Sequence, residues 1–215
     1  MTFVVFDLDG LLVDSEQVWD DVRETLARER GGRYDEVAQR DMMGMSSLEW
    51  SAYMHDRVGL AEPPEEINRI VVEQMLERYH AGPPWIPGAL DAVRRLAGAF
   101  TLGLASSSNR ELIDAVLEAG AITDLFQATV SSEEVARGKP APDIYLEAAH
   151  RLGVDPAGSA AVEDSTNGLR SAAVAGMRVV ALPNREFPPA PDALALAAVV
   201  LDSLDQLSPS TLEPG

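Results

Sequence analysis

Phe6-Asp7-Leu8-Asp9-Gly10-Leu11-Leu12-Val13-Asp14-Ser15 is the stretch on which the reading of this chain turns. Ahead of it, Phe3, Val4, Val5 and Phe6 make a short apolar, partly β-branched run, the pattern of a buried strand. The strand runs straight into two carboxylates two residues apart, then a glycine. Ligands of open α/β sheets bind at the carboxyl ends of strands, so a buried strand that delivers two acids there points to chemistry. Two close carboxylates can hold a hard cation. They also allow one acid to attack while the other moves protons. Taken alone, the segment could also be a strand that ends in a solvated acidic turn.

Outward from this stretch the chain changes rhythm once. From Ser15 to His80 the apolar residues recur at helical spacing: Val18, Trp19, Val22 and Leu26, then Leu48, Tyr53 and Met54, then Ile67, Ile70, Val71, Met75 and Leu76. Ala81-Gly82-Pro83-Pro84 breaks that pattern. Strands and helices then alternate. Strands are expected at Phe100–Ala105, Phe126–Val130, Ser159–Val162, Arg178–Leu182 and Ala198–Leu201. Helices are expected near Arg110–Ala119, Pro142–Leu152 and Thr166–Ala175. Such alternation argues for a parallel sheet with helices on both faces. The proline-rich Arg185–Asp192 reads as a loop and Ser208–Gly215 as a frayed tail.

The bulk numbers narrow the function. Seventeen Lys and Arg against 35 Asp and Glu give a net charge of −18. That surface repels nucleic acid and anionic lipid, which excludes both as main partners. It also repels phosphorylated substrates at long range, so an anion site has to be built locally. The absence of cysteine excludes disulfides, thiolate metal sites and a cysteine nucleophile. With no signal core and no long apolar run, the expected location is the cytoplasm.

Three further motifs follow expected strands. Ala105-Ser106-Ser107-Ser108-Asn109 puts small hydroxyl residues ahead of a helix N-terminus, where hydroxyls and free amides can donate to a phosphate; a plain helix cap would look the same. In Arg137-Gly138-Lys139-Pro140-Ala141-Pro142-Asp143 a lysine sits on fixed backbone between Gly and Pro. That suits a charge holding a phosphoryl oxygen better than a solvated loop lysine. Val162-Glu163-Asp164-Ser165 again places acids after a buried strand. They would complete an oxygen-ligand Mg²⁺ site with Asp7 and Asp9, or merely favour a helix dipole. All four motifs should meet on one edge of the sheet.

With these motifs in this order, the chain resembles the haloacid dehalogenase superfamily, in the subgroup with a helical cap that holds β-phosphoglucomutase and many sugar phosphatases. The resemblance covers almost the whole chain, including the insertion after Asp14-Ser15-Glu16. It implies a doubly wound, Rossmann-like α/β core from residues 1–14 and 82–215 and an all-helical cap from residues 15–81. Asp7 matches the family nucleophile, which forms an aspartyl-phosphate. Asp9 matches the general acid/base, whose backbone carbonyl is also a metal ligand. Ser106, with Ser107 and Asn109 beside it, would hold the phosphoryl group, and Lys139 would neutralise charge on it and on Asp7. Asp164 matches a ligand of the implied Mg²⁺, with Glu163 contributing directly or through water. The family's dehalogenases lack an acid at the position of Asp9, so phosphoryl transfer is the implied chemistry.

Three positions bear on phosphatase against mutase. Trp19 stands where phosphosugar mutases of the subgroup carry histidine. Gly44-Met45-Ser46-Ser47 has serine where they carry arginine. Asn109 stands where they favour lysine. Asp14-Ser15-Glu16-Gln17-Val18-Trp19-Asp20 instead resembles the start of hexitol and 2-deoxyglucose-6-phosphate phosphatases. Trp19 would pack against a sugar face or staple the cap helix. Gly44 is expected in the cap loop that faces the core, which the family uses for substrate choice. Met42, Met43 and Met45 read as apolar packing, and Trp50, His55 and His80 as structural. The expectation is an Mg²⁺-dependent, monomeric phosphatase acting on a sugar or polyol phosphate. A β-phosphoglucomutase-like mutase is the alternative. A phosphosugar-binding sensor is disfavoured, because it needs neither an attacking acid nor a proton-transfer acid.

Overall fold

The computed structural model describes residues 3–185 and 187–212. Its strands are β1 (Phe3–Phe6), β2 (Thr101–Ser106), β3 (Phe126–Ser131), β4 (Ser159–Glu163), β5 (Arg178–Ala181) and β6 (Val199–Val200). They form one sheet in the order β3-β2-β1-β4-β5-β6, and every pairing is parallel. The order reverses at β1, so β1 lies at the topological switch point where open α/β sheets bind ligands. Side chains alternate across the sheet as strand geometry requires. Val4 and Phe6 enter one apolar cluster with Leu102, Leu104 and Val162. Val5 enters the opposite cluster with Ala105, Ala161 and Val179. A strand buried on both faces reads as an unbroken apolar run, which is why Phe3–Phe6 shows no polar residue.

Between β1 and β2 the chain forms α1 (Glu16–Arg30), α2 (Glu36–Met42), α3 (Ser47–Tyr53), α4 (Pro64–Ala81) and α5 (Ala89–Ala97). α1 buries Trp19, Val22, Arg23, Leu26 and Ala27, the i, i+3, i+4, i+7 stripe of an amphipathic helix. Asp35 caps α2 by accepting from the amides of Val37 and Ala38. Ser46 and Glu49 make a reciprocal capping box on α3. Proline opens α4, where its missing N–H costs nothing. The chain crossings into and out of this helical stretch run side by side: Asp14 N–H donates to Pro84 O at 2.8 Å and Ile86 N–H to Leu12 O at 3.0 Å.

The remaining helices are α6 (Arg110–Ala119), α7 (Asp143–Leu152), α8 (Thr166–Val174), α9 (Pro191–Leu194) and α10 (Pro209–Leu212). Three features differ from the sequence expectation. α5 lies between the break at Ala81–Pro84 and the first strand after it, where the sequence pattern predicts no element, and its Ala89, Ala92, Val93 and Leu96 are buried. The last turn of the expected Arg185–Asp192 loop begins a helix at Pro191. The described part of the expected frayed tail is helical and buries Leu212, while residues 213–215 lie outside the described residues. Just ahead of the tail Arg95 donates to the carbonyls of Leu204 and Leu207 at 2.8–3.1 Å, and Leu212 itself joins the larger apolar cluster. No helix among the described residues is long and apolar enough to cross a membrane.

Candidate active site

The four motifs meet at the carboxyl edge of the sheet. Asp7 follows β1 directly, and its N–H donates to Val162 O at 3.0 Å, which extends the ladder by one residue. The chain then folds back on itself. Leu12 N–H donates to Leu8 O and Gly10 N–H to Val13 O, both at 2.8 Å, which presents Asp9 beside Asp7. Gly10 has φ +79°, and a Cβ there would stand 2.2 Å from Asp164 Oδ2. Only glycine allows both that backbone and that approach of the two acidic loops.

Lys139 joins three strands. Its Nζ donates to Asp7 Oδ1 at 2.6 Å, to Ala105 O at 3.1 Å and to Glu163 Oε1 at 2.6 Å. The Tyr145 hydroxyl donates to the same Glu163 oxygen at 2.7 Å. Glu163 Oε2 accepts from the amides of Asp164 and Ser165 and from Ser165 Oγ at 3.1–3.3 Å. Gly168 makes room for this carboxylate, since a Cβ there would lie 1.9 Å from it. Glu163 is fully buried and every lone-pair direction has a donor. It therefore orients Lys139, and a metal would share it with those donors.

Asp9 is held by four donors. Ser15 Oγ at 2.6 Å and Trp19 Nε1 at 3.4 Å reach Oδ1. Ser106 Oγ at 3.1 Å and Ser108 Oγ at 2.7 Å reach Oδ2. Ser106 thus points its O–H at Asp9, and the same oxygen accepts from Ser108 N–H at 3.0 Å. Ser107 and Gly44 line the cavity that contains Asp7, Asp9 and Lys139. Asn109 faces elsewhere: its Nδ2 donates to Glu133 at 2.7 Å and to Asn68 of α4 at 3.2 Å, so this amide ties α4 to the start of α6. The Trp19 ring packs on Trp50 with centroids 5.8 Å apart, which places it in the packing of the helical stretch as well as at Asp9. His55 Nδ1–H donates to Glu62 O at 2.9 Å, in keeping with a structural part.

The electrostatics describe a hole for a cation. Asp7, Glu163 and Asp164 are buried with carboxylate oxygens within 4.8 Å of one another, and Asp7 and Glu163 share one lysine. Burial pushes Asp7 up to about 8, with Lys139 opposing and Glu163 and Asp9 adding to the rise. Burial also drives Asp164 well up, reinforced by Glu163 and Asp7. Burial works against charge on Lys139, but Asp7 and Glu163 more than offset it and hold the ammonium charged. Asp164 Oδ1 is buried without any hydrogen-bond partner. An orphan carboxylate oxygen in an acid-rich, all-oxygen pocket fits a hard divalent cation.

Several residues at this site escaped the sequence reading as site residues. Ser108 and Ser15 orient Asp9, and Tyr145 orients Glu163. The comparison with the mutase pattern found no cation at the expected cap positions, yet the structure places one elsewhere, Arg23 of α1, on the walls of the cavity that includes Asp9. The available signal was its spacing: Glu16, Trp19, Asp20 and Arg23 lie on one helical face.

Comparisons with known proteins agree with this geometry. Hexitol phosphatase B of Escherichia coli is 32% identical over 213 residues, 97% of this chain and 95% of that protein. (DL)-glycerol-3-phosphatase 2 of Arabidopsis thaliana is 29% identical over 86% of this chain and 80% of its own length. Among solved structures, CbbY of Rhodobacter sphaeroides, in complex with xylulose-(1,5)bisphosphate, superposes with a TM-score of 0.87 at 26% identity, covering all of both chains. Residues 4–182 match the family model of haloacid dehalogenase-like hydrolases, and the chain belongs to that family.

Proposed function

We propose that the protein hydrolyses a small phosphomonoester, a sugar or polyol phosphate, in two steps. Asp7 attacks phosphorus, forming an aspartyl-phosphate while the P–O bond to the leaving alcohol breaks. Asp9, two residues on, gives that alkoxide a proton and then takes one from the water that attacks the aspartyl-phosphate and releases inorganic phosphate. Ser106, once its O–H turns from Asp9, and Lys139 would hold the phosphoryl oxygens. The observation that carries this reading is the buried Asp7–Lys139–Glu163 arrangement at the switch point, with Asp9 held beside it by four donors.

Asp7, Asp164 and the Asp9 carbonyl would hold Mg²⁺, with Glu163 beside them. When bound, the ion would supply positive charge for the phosphoryl oxygens. Residues 15–81 would act as a helical cap over a core of residues 1–14 and 82–215, closing on the substrate about the paired crossings at Asp14–Pro84 and Leu12–Ile86. We take the working unit to be a cytoplasmic monomer, to be checked by light scattering.

The test is phosphate release from a panel of sugar, polyol and nucleotide monophosphates, with Mg²⁺ and with chelator. Mg²⁺-dependent release supports the reading and ranks the substrates. Interconversion of phosphosugars that needs a bisphosphate and releases no phosphate would replace it with the mutase. Binding without turnover would replace it with a sensor.

A further inference from the structure

Arg23 is 6% exposed, yet its charged head touches aromatic rings rather than acids. The guanidinium carbon stands 4.6 Å from the Trp19 ring centroid and 4.9 Å from that of Trp50. Nε is buried with no hydrogen-bond partner, and no described residue forms a hydrogen bond or ion pair with the group. Glu16, Asp20 and Asp9 act on its charge from a distance. Removing a guanidinium from water without a hydrogen-bonded counter-charge costs folding free energy, which distant carboxylates offset only in part. The two indoles fix its position by cation–π attraction but accept none of its N–H bonds.

The cavity beside Arg23 is about 40 Å³ and is walled by Asp9, Glu16, Trp19, Gly44, Ser107 and Trp50, among others. The reaction-centre cavity, about 30 Å³, contains Asp7 and Lys139 and shares Asp9, Glu16, Gly44 and Ser107 with it. Four common wall residues make the two spaces neighbours. A molecule with its phosphoryl group at Asp7 and Lys139 therefore extends its other end toward Arg23. The planar fork of arginine matches the paired oxygens of a carboxylate or phosphate. A neutral hydroxyl would bring no counter-charge into hydrogen-bonding reach of it.

We propose that Arg23 is a second anchor for the substrate, binding an anionic group carried by the leaving alcohol: a carboxylate or a second phosphoryl group. The inference rests on the hydrolase reading and narrows its substrate to phosphomonoesters with a second negative charge.

The test uses matched pairs with Mg²⁺. Sorbitol 6-phosphate and 6-phosphogluconate differ by a carboxylate; glucose 6-phosphate and glucose 1,6-bisphosphate differ by a phosphoryl group. The expected result is that the protein prefers the more anionic member of at least one pair by about tenfold or more in kcat/KM. The pair that shows the preference tells which anion Arg23 receives. Arg23→Gln should erase that preference, lowering kcat/KM for the more anionic member by about tenfold more than for its less charged partner, and Arg23→Lys should retain part of it. Equal or inverted preference in both pairs overturns the proposal, as does an equal fall for both members in Arg23→Gln. If Arg23→Gln fails to fold by thermal unfolding, the wild-type preference and the Arg23→Lys profile decide. Release of phosphate from none of these four compounds and from none of the wider monophosphate panel would sink the hydrolase reading itself, whereas release without preference sinks only the second anchor.

Discussion

Glu163 at the sheet edge accepts five hydrogen bonds, from Lys139, Tyr145, the amides of Asp164 and Ser165, and Ser165 Oγ. Arg23 on α1, 6% exposed, makes none among the described residues. The two regions handle charge differently because they do different work. Groups that must be aligned before any substrate arrives are pinned by one another, since electrostatic preorganisation is useful only when already in place. Groups that read the substrate keep their donors free, and the free energy of that exposure is recovered when a ligand binds. The sheet edge should therefore lose stability or all activity when altered, and the helical side should alter selectivity.

The largest effect is expected at Asp7. Asp7→Asn removes the attacking oxygen and should lower phosphate release by about 10⁴-fold or more in a steady-state assay. A fall of less than about tenfold would mean that the sheet edge binds rather than reacts. Next is Lys139→Met, which keeps the stem and leaves Asp7 and Glu163 buried without their shared cation. Thermal and denaturant unfolding should show a loss of about 3–5 kcal/mol. An unchanged midpoint would show that the network is not part of the fold's stability.

Glu16 offers a sharper test on the helical side. Burial, with Asp9 adding to it, raises its pKa from 4.5 to about 7. The folded protein then holds this proton more tightly than the unfolded chain does. Its contribution is favourable below the unfolded value and is lost as pH rises from about 4.5 to about 7. Glu16→Gln should abolish that loss, gaining about 2 kcal/mol over wild type at pH 8 and nothing at pH 4 in urea unfolding. Parallel pH profiles for the two proteins would contradict the assignment. The smallest effect is expected for Trp19→Phe. Its hydrogen bond to Asp9 is long, 3.4 Å, and the ring burial is preserved. The change in kcat/KM should stay under about 1 kcal/mol, roughly fivefold.

The same contrast explains what could be read from the chain. β1 and the motifs after β2 and β4 were legible because strands buried on both faces leave unbroken apolar runs, and acids after such runs are conspicuous. The network around Lys139 was legible in its members but not in its directions. That Glu163 faces lysine and tyrosine follows from Gly168 clearing a space for it, which no pattern in the sequence displays. α5 has a regular apolar face at Ala89, Ala92, Val93 and Leu96 and was available to the reading. The ordered tail was not, because Leu212 is buried by long-range packing and the turn just before it meets Arg95, more than a hundred residues away. Arg23 was hidden for a different reason: a cation on a helix normally marks the solvated face, and this one is on the buried stripe.

The most direct measurement is the chemical identity of the enzyme during turnover. Rapid mixing with substrate and Mg²⁺, followed by borohydride reduction and peptide mass spectrometry, locates any acyl-phosphate. The account predicts reduction at Asp7, absent without substrate and absent in Asp7→Asn. An adduct on another side chain, or turnover that persists in Asp7→Asn, would contradict it.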